Sequence, residues 1–120
     1  MSSYDGLMFP KQGNKKKRKQ HMKSIMHQKD GTCYLCSTLN DDHRIHSLLE
    51  EHHVFKGYRR EASEANGLKV YLCPAHHQNS PVAVHSNYEY NLILRSDAQK
   101  AYETEHSHED WMQLIGKNYL

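Results

Sequence analysis

Residues 51–77 read EHHVFKGYRREASEANGLKVYLCPAHH, and this stretch decides the fold. Apolar and polar residues alternate over residues 68–72, as in a half-buried β-strand, and Val54 and Phe55 supply β-type residues for an earlier strand. Pro74 suits the first turn of a helix that follows the second strand. The predicted order is therefore strand, loop, strand and helix, with one pair of adjacent histidines on the first strand and another on the helix.

Three cysteines and one of these histidines have the spacing of a zinc site. Cys33 and Cys36 are separated by two residues, and so are Cys73 and His76. Such pairs can bend so that both ligand atoms face one ion, and thiolate and imidazole are ligands that zinc prefers. We therefore predict a structural Zn2+ held by Cys33, Cys36, Cys73 and His76. The alternatives are that His77 replaces His76, or that the cysteines are buried without a metal.

Positive charge is concentrated at the N-terminus. Residues 1–30 hold eight Lys and Arg against two Asp, hence +6, whereas the whole chain carries +2. The first 20 residues have no sustained apolar periodicity, which predicts a flexible basic arm over residues 1–20 and a single domain over residues 21–120. A polyanion is the natural partner of the arm, and a solubilising tail is the alternative. The residues expected to grip phosphates are Lys15, Lys16, Lys17, Arg18 and Lys19.

Helices are predicted on both sides of the central stretch. Apolar residues recur at helical spacing over residues 88–105 and 109–115, and Trp111, Leu114 and Ile115 should dock on the core. A short basic helix is predicted over residues 16–28. No apolar run approaches the ~20 residues that a membrane helix needs, and no apolar leader segment begins the chain, so a cytoplasmic protein is expected.

The histidine pairs predict a metal-dependent hydrolytic site. Histidines on the first strand and on the helix would place the imidazoles of His52, His53 and His77 around one cleft. A divalent ion there would stabilise the charge that develops on phosphorus and on the leaving oxygen, while an unligated histidine removes the proton of the attacking water. Because adjacent residues on a strand point to opposite faces, His52 and His53 can serve one site only at a twisted strand end.

These motifs resemble those of the HNH endonuclease family. The family's Cys-x2-Cys pair, its (Asp/Glu/His)-His-(Val/Ile) strand and its Leu-Cys-x2-(Cys/His)-His helix start are similar to Cys33 and Cys36, to residues 52–54 and to residues 72–77. The chain looks still more like small HNH-type proteins of phages and prophages of Gram-positive bacteria, which share a lysine-rich arm, Cys-Tyr-Leu-Cys and an ending like residues 116–120. The resemblance covers nearly the whole chain. It implies an α+β fold with a ββα-metal core, a structural zinc knuckle and C-terminal helices.

The resemblance also implies the roles of single residues. His53 is the expected general base, and His52 and His77 are the expected ligands of a catalytic Mg2+ or another divalent ion. An asparagine commonly orients the base in the family, and Asn66 lies in the right neighbourhood. Asn66 is, however, farther from Cys73 than is usual, and it precedes a glycine, which is also typical of a turn. A backbone carbonyl could position the base instead.

The implied activity is hydrolysis of phosphodiester bonds in double-stranded DNA. Arg59 and Arg60 follow the first strand and are expected to contact phosphates, with a solvated loop as the alternative. His85 and Asn87 lie close after the predicted metal-binding helix; an ordinary loop is the expected role of both, and a position at the border of the cleft is the alternative. Two other functions stay open. One is a non-catalytic zinc module that binds phage DNA, which would not need the first histidine pair, and the other is a nuclease directed at RNA or at DNA junctions.

Overall fold

The computed structural model describes residues 22–78 and 83–120. Within these ranges the chain has an α+β fold with one two-stranded sheet and five α-helices. In chain order the elements are α1 (Tyr34–Asn40), β1 (Glu50–His53), a 3₁₀ helix (Gly57–Arg59), α2 (Arg60–Asn66), β2 (Lys69–Leu72), α3 (Pro74–His77), α4 (Tyr88–Tyr102) and α5 (His108–Leu114). The predicted basic arm, including residues 15–19, lies outside the described residues.

The strands β1 and β2 pair antiparallel, and β1 carries the first histidine pair. The register sets His52 opposite Val70 and His53 opposite Lys69. Since adjacent strand residues project to opposite faces, the two histidines have different surroundings, and only His52 is fully buried, with 2% of its surface exposed. The predicted strand, loop, strand and helix are present, but β1 ends at His53, before Val54 and Phe55, which were expected to belong to it. The loop itself contains α2.

A glycine makes the turn between α2 and β2. Gly67 has φ +70°, in the left-handed region where other residues are strained. A Cβ at this position would also lie 2.4 Å from the backbone oxygen of Lys23. The N-terminal segment therefore passes directly over the turn, and the backbone N–H of Ile25 donates to the Gly67 carbonyl at 3.0 Å.

Residues 22–28 are not helical, which corrects the helix predicted over residues 16–28 as far as the described residues reach. Ser24 gives the physical reason. Its hydroxyl donates to the Lys69 carbonyl on β2 and accepts from two backbone N–H groups further along its own segment. Such bonds offer the backbone partners other than helical carbonyls, and they tie the segment to the sheet.

The C-terminal helices pack against the rest of the fold through an aromatic cluster. Trp111 is fully buried, and its ring centroid lies 5.6 Å from those of Phe55 and Tyr102. Its indole N–H donates to the Lys117 carbonyl at 2.8 Å, so its polar atom is satisfied despite burial. Trp111 and Ile115 thus dock on the core as predicted.

Candidate metal centres

Two helix starts bring three cysteines and one histidine together in the core. Cys33 immediately precedes α1 and Cys36 lies in its first turn, while Cys73 immediately precedes α3, which carries His76. Residues three apart at the start of a helix face the same side, so each pair presents its two ligand atoms in one direction. All four side chains are buried, and the three cysteines are free thiols.

The four ligand atoms have the spacing of a tetrahedral zinc site. His76 Nδ1 lies 3.6 Å from Cys33 Sγ, 3.4 Å from Cys36 Sγ and 3.5 Å from Cys73 Sγ. Cys36 Sγ and Cys73 Sγ are 3.9 Å apart. A tetrahedral ion at ~2.3 Å from sulfur and ~2.0 Å from nitrogen would set about 3.5 Å between nitrogen and sulfur and about 3.8 Å between sulfurs. The cluster could therefore hold a metal ion such as zinc.

The pKa shifts of Cys36 and His76 also favour the binding of a metal cation by this cluster. Burial raises the pKa of the Cys36 thiol to about 12, and the neighbouring Cys33 and Cys73 add to the rise. The buried Cys36 thiol resists ionisation unless a cation compensates its charge, and a coordinating ion deprotonates thiols outright. Burial lowers the pKa of His76, so its imidazole is neutral near pH 7 and keeps a lone pair for a metal.

A second cluster joins three histidines from β1, α3 and the loop before α4. His52, His77 and His85 each offer a ring nitrogen, and these atoms lie within 4.8 Å of one another. The Nε2 atoms of His77 and His85 are 3.0 Å apart, and His77 Nδ1 lies 2.6 Å from a carboxylate oxygen of Glu50. Because a carboxylate accepts hydrogen bonds, Nδ1 of His77 carries its proton and Nε2 directs its lone pair toward His85.

His52 has no hydrogen-bond partner for either ring nitrogen among the described residues, although it is buried. Burial, followed by the positive charge of Lys56, lowers the pKa of His52 to about 3. The ring is therefore neutral near pH 7, and leaving it unpaired costs about 1–3 kcal/mol. A bound ion would offset this cost, and imidazole nitrogens are ligands that suit a transition-metal ion.

The histidine cluster borders an open cavity of about 410 Å³. Besides the three histidines, the cavity is lined by Glu51, His53, Lys56, Gly57 and Arg60. Lys56 Nζ lies 2.6 Å from His85 Nδ1. An ammonium and a guanidinium thus stand beside the imidazoles, and both groups form strong hydrogen bonds with phosphate oxygens.

His53 borders the same cavity, but its ring contacts the neighbouring helix. Its Nε2 lies 2.6 Å from a carboxylate oxygen of Glu64 on α2. Lys69 Nζ in turn lies 3.3 and 3.2 Å from the two oxygens of Glu64. The structure thus puts His52, His53 and His77 around one cavity, and it includes only His52 and His77 in the histidine cluster. Whether His53 acts as a base stays a prediction.

Asn66 is not among the residues that line this cavity. Its side-chain amide donates to the Ala62 carbonyl within α2 at 2.9 Å, and it borders a different groove beside Tyr102. The expected role of Asn66 in orienting the base therefore has no support from the geometry. The residue that contacts His53 is Glu64, two positions earlier on α2, which the sequence did not single out.

His85 completes the histidine cluster, although it was expected to belong to an ordinary loop. The backbone N–H of Val84 donates to the His76 carbonyl at 2.7 Å, so the loop folds back onto α3 and brings His85 to His77. Because His77 and His85 do not lie on one helix or strand, their spacing of eight residues could not predict their contact. The signal available in the sequence was a third histidine within one short loop of the predicted ligand helix.

Of the two arginines named from the sequence, Arg60 lines the cavity and Arg59 is not among the lining residues. Arg59 immediately precedes Arg60 and ends the 3₁₀ helix. The Arg59 guanidinium carbon is 5.0 Å from the ring centroid of Tyr58, a side chain that is 87% exposed. The guanidinium groups of Arg59 and Arg60 can bind anions, and the Tyr58 ring can stack on flat rings.

Comparisons of the chain with protein-family models, with curated proteins and with solved structures found no match. None of the helices in the two described ranges is long and apolar enough to cross a membrane. The fold and site define an α+β protein with a Cys3His cluster that could hold zinc. A separate three-histidine cluster stands beside an open cavity.

Proposed function

We propose that this protein is a metal-dependent nuclease of the HNH type that hydrolyses phosphodiester bonds in double-stranded DNA. The observation that carries the proposal is the cluster of buried His52, buried His77 and exposed His85 at a cavity that His53 and Arg60 also line. The order β1, β2 and α3 supports it, because two antiparallel strands followed by a helix are the elements that a ββα-metal core requires.

The Cys3His cluster has a structural role in this proposal. Cys33, Cys36, Cys73 and His76 would be the four ligands of one Zn2+, which leaves no coordination position for a substrate. Through these ligands α1 is tied to the segment between β2 and α3. His77, one residue beyond His76, is thereby held at a fixed position beside the cavity.

His52, His77 and His85 would hold the catalytic ion. A divalent ion held by these imidazoles would stabilise negative charge on the phosphate and on the leaving oxygen. Imidazole ligands suit Zn2+ or Ni2+ better than Mg2+, which prefers oxygen ligands. Glu50 fixes the tautomer of His77, so that Nε2 is the ligand atom.

The residues outside the histidine cluster bind the substrate and move the proton. Lys56 and Arg60 donate hydrogen bonds to oxygens of the scissile phosphate. His53 takes the proton of the attacking water, since its ring is not among the ligands and keeps a lone pair. The proposed reaction is hydrolysis, in which the oxygen of water bonds to phosphorus and the bond to the 3′ oxygen breaks.

DNA is the proposed partner because Lys56 and Arg60 line the cavity and a run of basic residues precedes the described fold in the sequence. Arg59 and Arg60 would contact phosphates near the cut, and Tyr58 would pack on a sugar or a base. The basic run at residues 15–19 would bind the phosphate backbone further away.

Replacing Arg59 and Arg60 together with Gln should weaken DNA binding and reduce its dependence on salt. The slope of log K against log salt should fall by about 1.8, because each lost phosphate contact removes roughly 0.9. Fluorescence anisotropy with a labelled duplex at several salt concentrations measures this slope. Arg44→Gln is the matched control, since Arg44 is exposed and its guanidinium is held by Asp42 at 2.8 Å. Equal slopes for wild type and all variants would show that Arg59 and Arg60 do not contact DNA phosphates.

The proposed activity is tested by plasmid cleavage. The purified protein should convert supercoiled plasmid to nicked and linear forms when Zn2+, Ni2+, Mn2+ or Mg2+ is added singly. Parallel reactions with duplex RNA and with a four-way DNA junction test the other nuclease specificities. DNA binding without cleavage by any ion would instead favour a non-catalytic zinc module, a function that the Cys3His cluster alone would serve.

A further inference from the structure

We propose that Glu64 is the positioning residue of His53 and that it makes Nδ1 the ring atom that accepts the proton of water. This inference deepens the nuclease proposal and rests on it. Its starting point is the contact between His53 Nε2 and Glu64 Oε1, at 2.6 Å.

The fold builds this contact from three elements. The register of the sheet sets His53 on β1 opposite Lys69 on β2, and α2, which connects the strands, carries Glu64 back over them. Both partners are largely shielded from water, with 10% of the His53 side chain and 21% of the Glu64 side chain exposed. A hydrogen bond in such surroundings is stronger than one in water.

Lys69 anchors the carboxylate. It is buried, with 5% of its surface exposed. Its Nζ lies 3.2 and 3.3 Å from the oxygens of Glu64 and 3.1 Å from one oxygen of Glu51. Glu51, His53 and Glu64 are close enough together to suggest a further metal site, but the ammonium of Lys69 already supplies the cation there. The cluster is therefore better explained as a support for the His53 ring.

The hydrogen bond determines the tautomer of His53. Paired with the Lys69 ammonium, Glu64 is a carboxylate and can only accept hydrogen bonds. In the neutral ring of His53, Nε2 must then carry the proton, which leaves the lone pair on Nδ1. This is the arrangement of a base whose orienting group is a carboxylate, with the second ring nitrogen available to a substrate water.

The proton movement in this step is balanced. As the water oxygen bonds to phosphorus, one O–H bond of the water breaks and the proton passes to Nδ1 of His53. The 3′ oxygen leaves with the electron pair of the broken P–O bond. The resulting imidazolium donates from Nε2 to Glu64, whose negative charge stabilises it, and Nδ1 later releases the proton to solvent.

Two variants and a matched control test this role. In Glu64→Ala the Nε2–H tautomer loses its partner, so both tautomers should be populated, and kcat for DNA should fall on the order of 10- to 100-fold. In Glu64→Gln the amide oxygen can still accept from Nε2, so the tautomer should persist while kcat falls less than in Glu64→Ala. KM and metal content should stay near wild type in both. Glu61→Gln, on the exposed side of the same helix, should leave kcat within about twofold.

Two readouts separate the possible outcomes. Long-range 1H–15N NMR spectra report the tautomer of His53 without any reaction, and plasmid cleavage reports kcat. A wild type that cuts DNA, together with a Glu64→Ala variant that cuts equally fast or keeps the tautomer unchanged, overturns the positioning role and leaves the nuclease proposal standing. If Glu64→Ala does not fold, an unchanged kcat in Glu64→Gln overturns the role. A wild type that cuts no nucleic acid with any ion overturns the nuclease proposal and the role of Glu64 with it.

Discussion

Removing the metal ion from the Cys3His cluster should unfold the protein. Zinc binding by such a site contributes about 10–16 kcal/mol at pH 7, whereas a typical domain is stable by about 5–15 kcal/mol in total. The described fold has little to replace this contribution, because its sheet consists of two strands of four residues each. Sheets of this size are not stable independently. We therefore expect a cooperative loss of structure, not a local opening of the cluster.

A chelator titration followed by circular dichroism and by metal analysis measures this effect. Helical signal and about one zinc per chain should disappear together as the chelator concentration rises. Cys36→Ser should lower both zinc content and melting temperature. His43→Ser serves as the control, because His43 is an exposed histidine paired with Asp41 outside the cluster. A zinc-free protein with the spectrum and melting temperature of the metal-bound form would contradict the prediction.

The grouping of the Cys3His residues could be predicted because it depends on local spacing. Cys33 and Cys36 come together within a single helix start, and Cys73 and His76 within another. Only one long-range step, the approach of the two pairs, had to be inferred, and the preference of zinc for four ligands supplies that step. The spacing predicted His76 and left His77 as the alternative. The structure groups His76 with the cysteines, because α3 turns His76 toward them and His77 toward His85.

The histidine site could be predicted only in part, because two of its members are brought in by distant contacts. His85 reaches the cluster through the hydrogen bond between Val84 and His76, and Glu64 reaches His53 because α2 folds back over the sheet. Neither contact leaves a periodic pattern in the sequence. Asn66 was the asparagine expected to orient His53, whereas the carboxylate of Glu64, two residues earlier, makes the contact.

Helix α1 illustrates the same limit for secondary structure. A helix of seven residues is too short to be stable alone, and the polar residues around 37–40 do not form an apolar face. Burial of Leu35 and Cys36 in the core holds the helix in place. Its last turn ends at Asp41, whose positive φ of 51° the local sequence did not indicate. Tertiary contacts therefore decide this element, as they decide the absence of a helix over residues 22–28.

Replacing His53 with Ala should lower the rate of DNA cleavage by about 10² to 10⁴, the range expected for loss of a general base. The fold should persist, because Glu64 keeps its contacts with Lys69. Metal content should persist as well, since His53 does not belong to the histidine cluster. Single-turnover cleavage with saturating protein measures the chemical step, and metal analysis of the same samples measures the ions. His108→Ala, an exposed histidine on α5 paired with Glu103, is the control.

Replacing His52 with Ala should abolish cleavage by a different route. Wild type equilibrated with Zn2+ should bind about two ions per chain, one in each cluster, and the His52 variant about one. Excess Zn2+ or Ni2+ should restore part of its rate, because His77 and His85 still offer two nitrogens, whereas no concentration of ion should restore His53→Ala. Both variants are expected to lose activity, so the loss alone does not distinguish a metal ligand from a general base. The different responses of the two variants to excess ion do distinguish them. If excess ion rescues His53→Ala instead, His53 is a ligand and the base lies elsewhere in the cavity. If both variants cut as fast as wild type, the histidine cavity is not the site of cleavage.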